Sequence, residues 1–373
     1  MKIVPAVLTA LALSAPALAA DPAPLGPDAA ALKQSREKAA AFLKTTQSDD
    51  GGWSAPDAIG VTALVTQGLM AAGLETDDPA VAAGLAKIAG AAQEDGRIAV
   101  PSSRLPGYET AVCVTVLQDA DPEKYAPIVK KADAFLRGMQ YDEEKGVESS
   151  DVAYGGVGYG PGGGRPDLSN TAYLIEALRA AGAEEDDPAI QKALIFVSRC
   201  QNLESEHNQS PSAAAVNDGG FYYNPAADAS PAGRTPQGGL RSYGSMTYAG
   251  LKSMVYAGLS KDDPRVKAAI DWIGERYTVE KNPGMGTAGL YYYYQLFGKS
   301  LDVADLDRVT DESGETHDWR KDLAERLFAA QQKNGSWVNQ NRQWMEGDPN
   351  LATAFALLSM ADCDPRPADA AAE

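Results

Sequence analysis

Apolar runs of helical length alternate along this chain with amphipathic ones, and the apolar runs open alike. A Thr-Ala pair or a near variant starts each of them, at Thr62-Ala63, Thr110-Ala111, Thr171-Ala172, Thr247-Tyr248-Ala249, Thr287-Ala288 and Thr353-Ala354. The spacing predicts six inner helices, over about 60–72, 108–118, 169–181, 245–257, 286–297 and 350–361. Outer helices are predicted over 29–46, from Pro79 onward, up to Gln140, and over 190–201, 266–277 and 319–332.

The joints from inner to outer helix repeat as well. Gly73 is followed by Asp77-Asp78-Pro79, Gly182 by Asp186-Asp187-Pro188, and Gly258 by Asp262-Asp263-Pro264. Gly suits the left-handed residue after a helix, Asp the N-cap and Pro the first turn. A helix pair that cannot bury its apolar face alone must stack on its neighbours. The expected fold is therefore all-α: an (α/α)6 toroid, six outer/inner pairs in a closed ring. The domain is expected over 31–363, after a leader at 21–30 and before a tail at 364–373.

Two stretches break the rhythm. Residues 147–166 are Gly-rich with Tyr154 and Tyr159, and 202–244 form a long polar segment containing Phe221-Tyr222-Tyr223. Long loops of this kind are lids, binding loops or disordered, and their aromatics favour ordered coverings over one mouth of the ring. The glycines of 155–164 do not make a phosphate loop, because no Lys-Ser/Thr follows them and no strand precedes them.

The outer-to-inner turns carry a brace. Gln47 to Trp53 and Gln331 to Trp337 both read Gln-x-x-x-Gly-x-Trp, and weaker copies begin at Gln93, Gln140 and Gln201. Gly permits a tight reversal, Gln satisfies loose backbone groups at a helix end, and Trp covers apolar surface. These motifs resemble the QW repeat of squalene cyclases and related prenyltransferases, which implies a structural role for Gln47, Trp53, Gln331 and Trp337. Likewise Asp167-Leu168-Ser169-Asn170-Thr171-Ala172 resembles the Asp-x-Asp-Asp-Thr-Ala acid motif of squalene-hopene-type triterpene cyclases. Together they identify the chain as similar to the terpenoid cyclase and protein prenyltransferase toroid superfamily, closest to exported bacterial prenyltransferase/squalene oxidase repeat proteins.

The departures matter for chemistry. Ser169 stands where the resemblance implies the proton-donating Asp, and a neutral hydroxyl is far too weak an acid to protonate an alkene. Asp167 is left as the one candidate catalytic acid. Protein prenyltransferases hold zinc with Asp, Cys and His, whereas this chain has only His207 and His317 and no Asp-x-Cys opening an inner helix, so neither a family zinc site nor any other metal or cofactor is expected. The Gly-Cys-Gly-Glu-Gln motif of complement-like thioester domains and a Gly-x-Ser-x-Gly elbow are both missing.

If all six inner helices point one way, their N-termini gather at one rim. That rim would hold Asp57, Tyr108, Glu109, Asp167, Asn170, Tyr243, Met285, Trp344, Glu346, Asp348 and Asn350, with Tyr173, Tyr248 and Tyr292 as aromatic cavity wall. Helix N-termini favour carboxylates or an anionic ligand group. Each carboxylate has an ordinary alternative as a helix cap. Of the four consecutive tyrosines Tyr291 to Tyr294, one or two are expected to face the centre, the others packing between layers.

The ends and composition set the location. Lys2, the apolar core 4–13 and Ala17-Leu18-Ala19 read as a signal peptide over 1–20, so the mature protein is expected to be exported, periplasmic or extracellular, and without a membrane span. A net charge of -18 argues against nucleic acid or an anionic membrane as partner. Cys113, Cys200 and Cys363 share no metal-type spacing and are expected as buried free thiols. His317, between Glu315 and Asp318, is expected on a solvated loop rather than as a base.

Three functions stay open on these residues: a cyclase-like toroid without the family's acid that binds a small apolar or sugar ligand, or a protein partner, at the rim and cavity; an active terpenoid cyclase or prenyltransferase-type enzyme using a displaced acid such as Asp167; and a carbohydrate enzyme with two opposed carboxylates such as Glu346 and Asp167.

Overall fold

The computed structural model describes residues 24–160, 165–227 and 229–367; the expected signal peptide lies outside them. Its helices are α1 (Ala29–Thr46), α2 (Ile59–Ala71), α3 (Pro79–Gly90), α4 (Pro106–Ala120), α5 (Pro122–Arg137), α6 (Leu168–Ala180), α7 (Pro188–Arg199), α8 (Pro211–Val216), α9 (Gly244–Tyr256), α10 (Pro264–Glu275), α11 (Leu290–Val303), α12 (Trp319–Ala330) and α13 (Pro349–Ala361). The only strands among the described residues, β1 (Val309–Thr310) and β2 (Thr316–His317), form a small antiparallel hairpin pairing Val309 with His317. The protein is all-α, and no described helix is long and apolar enough to cross a membrane.

Two layers follow from burial. Helices α2, α4, α6, α9, α11 and α13 are buried on nearly every side, as their all-round apolar composition requires. The other long helices bury one stripe each; in α1 it is Leu32, Ala39, Phe42 and Leu43. Inner-helix contacts run from α2 through α4, α6, α9 and α11 to α13, and α13 packs on α2. Outside them, α3 lies against α2 and α4, α5 against α4 and α6, α7 against α6 and α9, and α12 against α11, α13 and α1.

The inner-to-outer joints form as their residues dictate. Gly73, Gly182 and Gly258 have φ of +93°, +95° and +84°, and the residue after each donates back into its helix, Leu74 to Leu69, Ala183 to Leu178 and Leu259 to Met254. Asp78, Asp187 and Asp263 cap α3, α7 and α10, each accepting the N–H of the second helical residue.

The turns in the other direction show what the Gln and Thr are for. Gln47 donates to the carbonyls of Gly51 in its own turn and Ala80 in α3; Gln140 does so to Gly155 and Ala189, Gln201 to Gly219 and Arg265, and Gln331 to Gly335 and Ser35. Each Gln therefore ties its turn to a neighbouring outer helix. Gln93 departs, bonding Ala91 and Ala99 instead. The Trp53 indole donates to Leu43 and that of Trp337 to Leu327, at 2.8 and 2.9 Å, while Thr62, Thr110, Thr171, Thr247 and Thr353 accept a backbone N–H from the chain leaving the turn.

The fifth unit breaks the pattern. Helix α11 starts at Leu290 and not at Gly286, because Gly286 and Gly289 are both at φ +63°, and Thr287 stays outside the helix. Here Tyr277 of the turn donates to Asp322 of α12 at 2.8 Å in place of the Gln brace. The two long loops are folded: Phe221, Tyr222 and Tyr154 are buried, and Tyr223 and Phe221 bond the backbone N–H groups of Leu168 and Tyr243 at the starts of α6 and α9. Cys113, Cys200 and Cys363 are buried free thiols whose pKa values burial pushes up.

Candidate functional site

Of the carboxylates expected at the rim, Asp57 is exposed and caps no helix, and the others are held by backbone and side-chain donors. Asp167 is 2% exposed; its Oδ1 accepts the N–H of Asn170 at 2.9 Å and its Oδ2 the Asn170 side-chain amide at 2.7 Å. Burial raises its pKa to about 6 against these hydrogen bonds and one from Tyr223. Asp348 caps its own helix α13. Glu346, fully buried, caps another: its Oε1 accepts the Tyr292 N–H of α11 and its Oε2 the Asn339 amide, at 2.8 and 2.6 Å. Glu109 of α4 accepts from the Ser103 hydroxyl at 2.5 Å and from the backbone of Gly60 in α2. Burial raises the pKa of Glu346 and of Glu109.

Behind these caps the centre is filled by aromatic rings. Tyr108 of α4 meets Tyr173 of α6 edge-on at 5.0 Å, Tyr173 stacks toward Tyr292 of α11 at 6.5 Å, and Tyr292 touches Phe355 of α13 at 5.8 Å. The Tyr292 hydroxyl lies 2.8 Å from that of Ser169, so the Ser in the degenerate acid motif anchors this plug. Tyr292 is the one member of the tyrosine run that takes part. Tyr293 and Tyr294 turn outward, donating to the carbonyls of Thr278 and Val279, and Tyr291 packs edge-on against Tyr294. Tyr243 and Tyr248 are buried, Tyr248 against Tyr293 and Phe297. Trp344 is half exposed at 52% and lies over Gly289.

The open space lies elsewhere. A cavity of about 570 Å³ is lined by the C-terminal parts of inner helices, including their last residues Ala71, Ala180, Tyr256 and Ala361. Tyr173, expected in the aromatic wall, lines it together with Tyr256. The remaining wall includes charges that belong to no recognised motif: Asp119, Glu176, Arg179, Lys299 and Asp362, with the amides of Gln67 and Gln295. Beside Tyr173, the buried Lys252 pairs with Glu176 at 2.6 Å and holds its ammonium 5.9 Å from the Tyr173 ring centre.

Electrostatics in this cavity are unbalanced. Burial raises the pKa of Asp362 to about 7, with Lys299 opposing and Asp302 and Glu176 adding to the rise. The wall removes enough water from Asp119 to raise its pKa too, although Gln67 donates to it at 3.0 Å. Burial works against the Lys299 charge, yet Asp362, Glu176, Asp302 and Asp119 together outweigh it and its pKa is raised. The rise at Lys299 reports the negative potential of the carboxylates around it, whereas the rises at Asp362 and Asp119 come first from burial.

His317 sits on the β2 strand rather than on a solvated loop. Its Nε2 is 3.0 Å from Asp311 and its Nδ1 3.3 Å from Asp322, and its ring stacks on Tyr277 at 4.4 Å. Asp311, Glu315 and His317 are the one group among the described residues close enough to share a metal ion.

No protein-family model and no curated protein matches the chain. Solved structures do. The type II terpene cyclase MstE from Scytonema, in its apo form, aligns with a TM-score of 0.55 at 14% identity, over 90% of this chain and 98% of that one. A D-mannose isomerase aligns at 0.53 and 12% identity, over 89% and 97%. A polysaccharide lyase gives 0.53 and 12%, over 89% and 96%. These likenesses establish a terpenoid cyclase-like helical toroid fold, which the neighbours share across different chemistries.

Proposed function

We propose that this chain is a closed (α/α)6 toroid, exported after loss of residues 1–20, that binds a small polar ligand in the cavity at the C-terminal mouth of its inner helices and lacks class II terpene cyclase activity. One observation carries the reading: the cavity wall holds Asp119, Glu176, Asp362, Arg179 and Lys299 beside Tyr173 and Tyr256. A polyprenyl chain would lose contact with apolar wall at every one of these charges, whereas a polar ligand of sugar size would satisfy them. Closure is supported by the packing of α13 on α2 and of α12 on α1. The neighbours' own activities divide between terpene cyclisation and sugar chemistry, so the fold does not choose between them and the wall must.

A second reading, a cyclase using Asp167 as a displaced acid, draws on the burial and raised pKa of that carboxyl. Against it, Asp167 is engaged by Asn170 and is not part of the cavity wall. The test is equilibrium binding and turnover with the purified mature protein against squalene, geranylgeranyl substrates and a panel of monosaccharides and amino sugars. Binding of a polar probe that is lost in Glu176→Gln, with no isoprenoid turnover, is the expected result. Turnover of squalene that disappears in Asp167→Asn would replace the first reading with the second.

A further inference from the structure

One cation of the cavity has no counterpart in the protein. Lys299 of α11 lines the space, and among the described residues no acceptor stands within hydrogen-bond or ion-pair distance of its ammonium. The other cations there are engaged: Arg179 donates to the carbonyl of Ala183 at 2.7 Å, and Lys252, beside Tyr173, donates to Glu176 at 2.6 Å. An ammonium carries three N–H donors and no acceptor, so those of Lys299 are left to whatever fills the cavity.

The charge around Lys299 limits what that is. Asp362, Glu176, Asp302 and Asp119 hold the ammonium in a negative potential, which opposes an anion, while the ammonium itself opposes a second cation. Acceptors stand on other elements of the wall, the Asp119 carboxylate on α4 and that of Asp362 just after α13. A ligand ammonium can only donate and a ligand carboxylate can only accept, whereas a hydroxyl does both. The rest of the wall includes Leu64, Val112 and Leu358 next to the rings of Tyr173 and Tyr256, an apolar surface suited to the carbon skeleton of a small ligand.

Resting on the reading of this cavity as a binding site, we propose that its ligand is a neutral polyol of sugar size, and that Lys299 selects it by donating to one of its hydroxyl oxygens. Other hydroxyls along the same molecule meet the carboxylates, so no single ligand atom has to be reached from several helices at once. A hydrogen bond from a charged donor is stronger than one between neutral groups, and Lys299 has no protein acceptor to give up in making it.

The experiment is calorimetric titration of the full mature chain with glucose, mannose and myo-inositol, and with glucuronate and glucosamine as charged counterparts, at one ionic strength and a pH at which the glucosamine amine is protonated. The expected result is that at least one neutral probe binds roughly tenfold or more tightly than both charged sugars, and that Lys299→Met weakens it by about tenfold to a hundredfold. Lys299→Gln, which loses the charge and the reach but keeps a polar side chain, takes the place of the Met variant if that one fails to melt cooperatively, with a loss of about tenfold or more expected. Glucuronate or glucosamine binding as tightly as the best neutral probe would overturn the polyol assignment, and undiminished binding by the Lys299 variants would overturn the role of Lys299; either outcome leaves the cavity reading in place. Absence of binding by all five probes would overturn the proposal and the cavity reading together.

Discussion

The Oε1 atom of Glu346 accepts the backbone N–H of Tyr292 at 2.8 Å, so the first turn of α11 is capped by a side chain 54 positions away in sequence. Glu109 does the same for α2 across from α4. Carboxylates at the inner-helix N-termini thus fasten one unit to another, and their burial reflects that task.

Glu346→Ala is expected to lower unfolding stability by about 2 kcal/mol, because it leaves helix N–H groups without a partner and removes one of the two hydrogen bonds donated by the Asn339 amide. Glu346→Gln should recover part of the loss. Urea denaturation measures both, and an unchanged midpoint for the Ala variant would remove the capping role.

Asp167 should make stability pH-dependent. Its folded pKa of about 6 lies above its ordinary 3.8, so the folded state holds the proton more tightly than the unfolded chain. The favourable contribution is fully present below 3.8 and lost as pH rises through about 6, amounting to about 3 kcal/mol. Asp167→Asn keeps a capping side chain and should flatten this part of the stability-versus-pH curve; a curve of unaltered slope between pH 4 and 6 would contradict it.

Glycines at the two kinds of joint should respond differently. Gly73 at φ +93° has open space around a built Cβ, so Gly73→Ala should cost only the left-handed penalty of about 1 kcal/mol. At Gly155, φ +82°, the Cβ would lie 1.8 Å from the Lys192 carbonyl oxygen of α7, and the substitution should cost about 3 kcal/mol or more. Melting temperatures of the two variants side by side provide the check.

Breaking the buried Lys252–Glu176 pair at one end should be expensive. Lys252→Met leaves the Glu176 charge without its partner and is expected to cost about 3 to 5 kcal/mol, while Lys252→Met with Glu176→Leu should recover most of it. A double variant no more stable than the single one would show that the two charges are not coupled.

How much of this was legible follows from where the chain speaks locally. The Gly and Asp-Asp-Pro joints carry their own backbone preferences, and α1 begins and ends at the residues that its spacing marks. Thr287-Ala288 mimics the other helix openings, yet Gly286 and Gly289 in left-handed geometry postpone α11 to Leu290. The cavity was hidden for a different reason. The only catalytic-motif-like signal, at Asp167 to Ala172, lies at the N-terminal end of the inner helices, where Tyr108, Tyr173, Tyr292 and Phe355 pack together. A signal was present all the same: Glu176, Lys252 and Lys299 are charges inside helices that bury most of their residues, and a charge in such a place needs a partner or a space.

Leu25 and Arg366 exchange backbone hydrogen bonds, and the turn after α12 rests its Gly335 against the Lys38 carbonyl of α1. The two ends of the described chain are thereby stitched together, and α1 packs on both α12 and α13. A circularly permuted gene, with 25 and 366 joined by a short linker and new ends cut in the exposed segment near Gly233, should therefore give a protein that melts in one step at nearly the parental temperature.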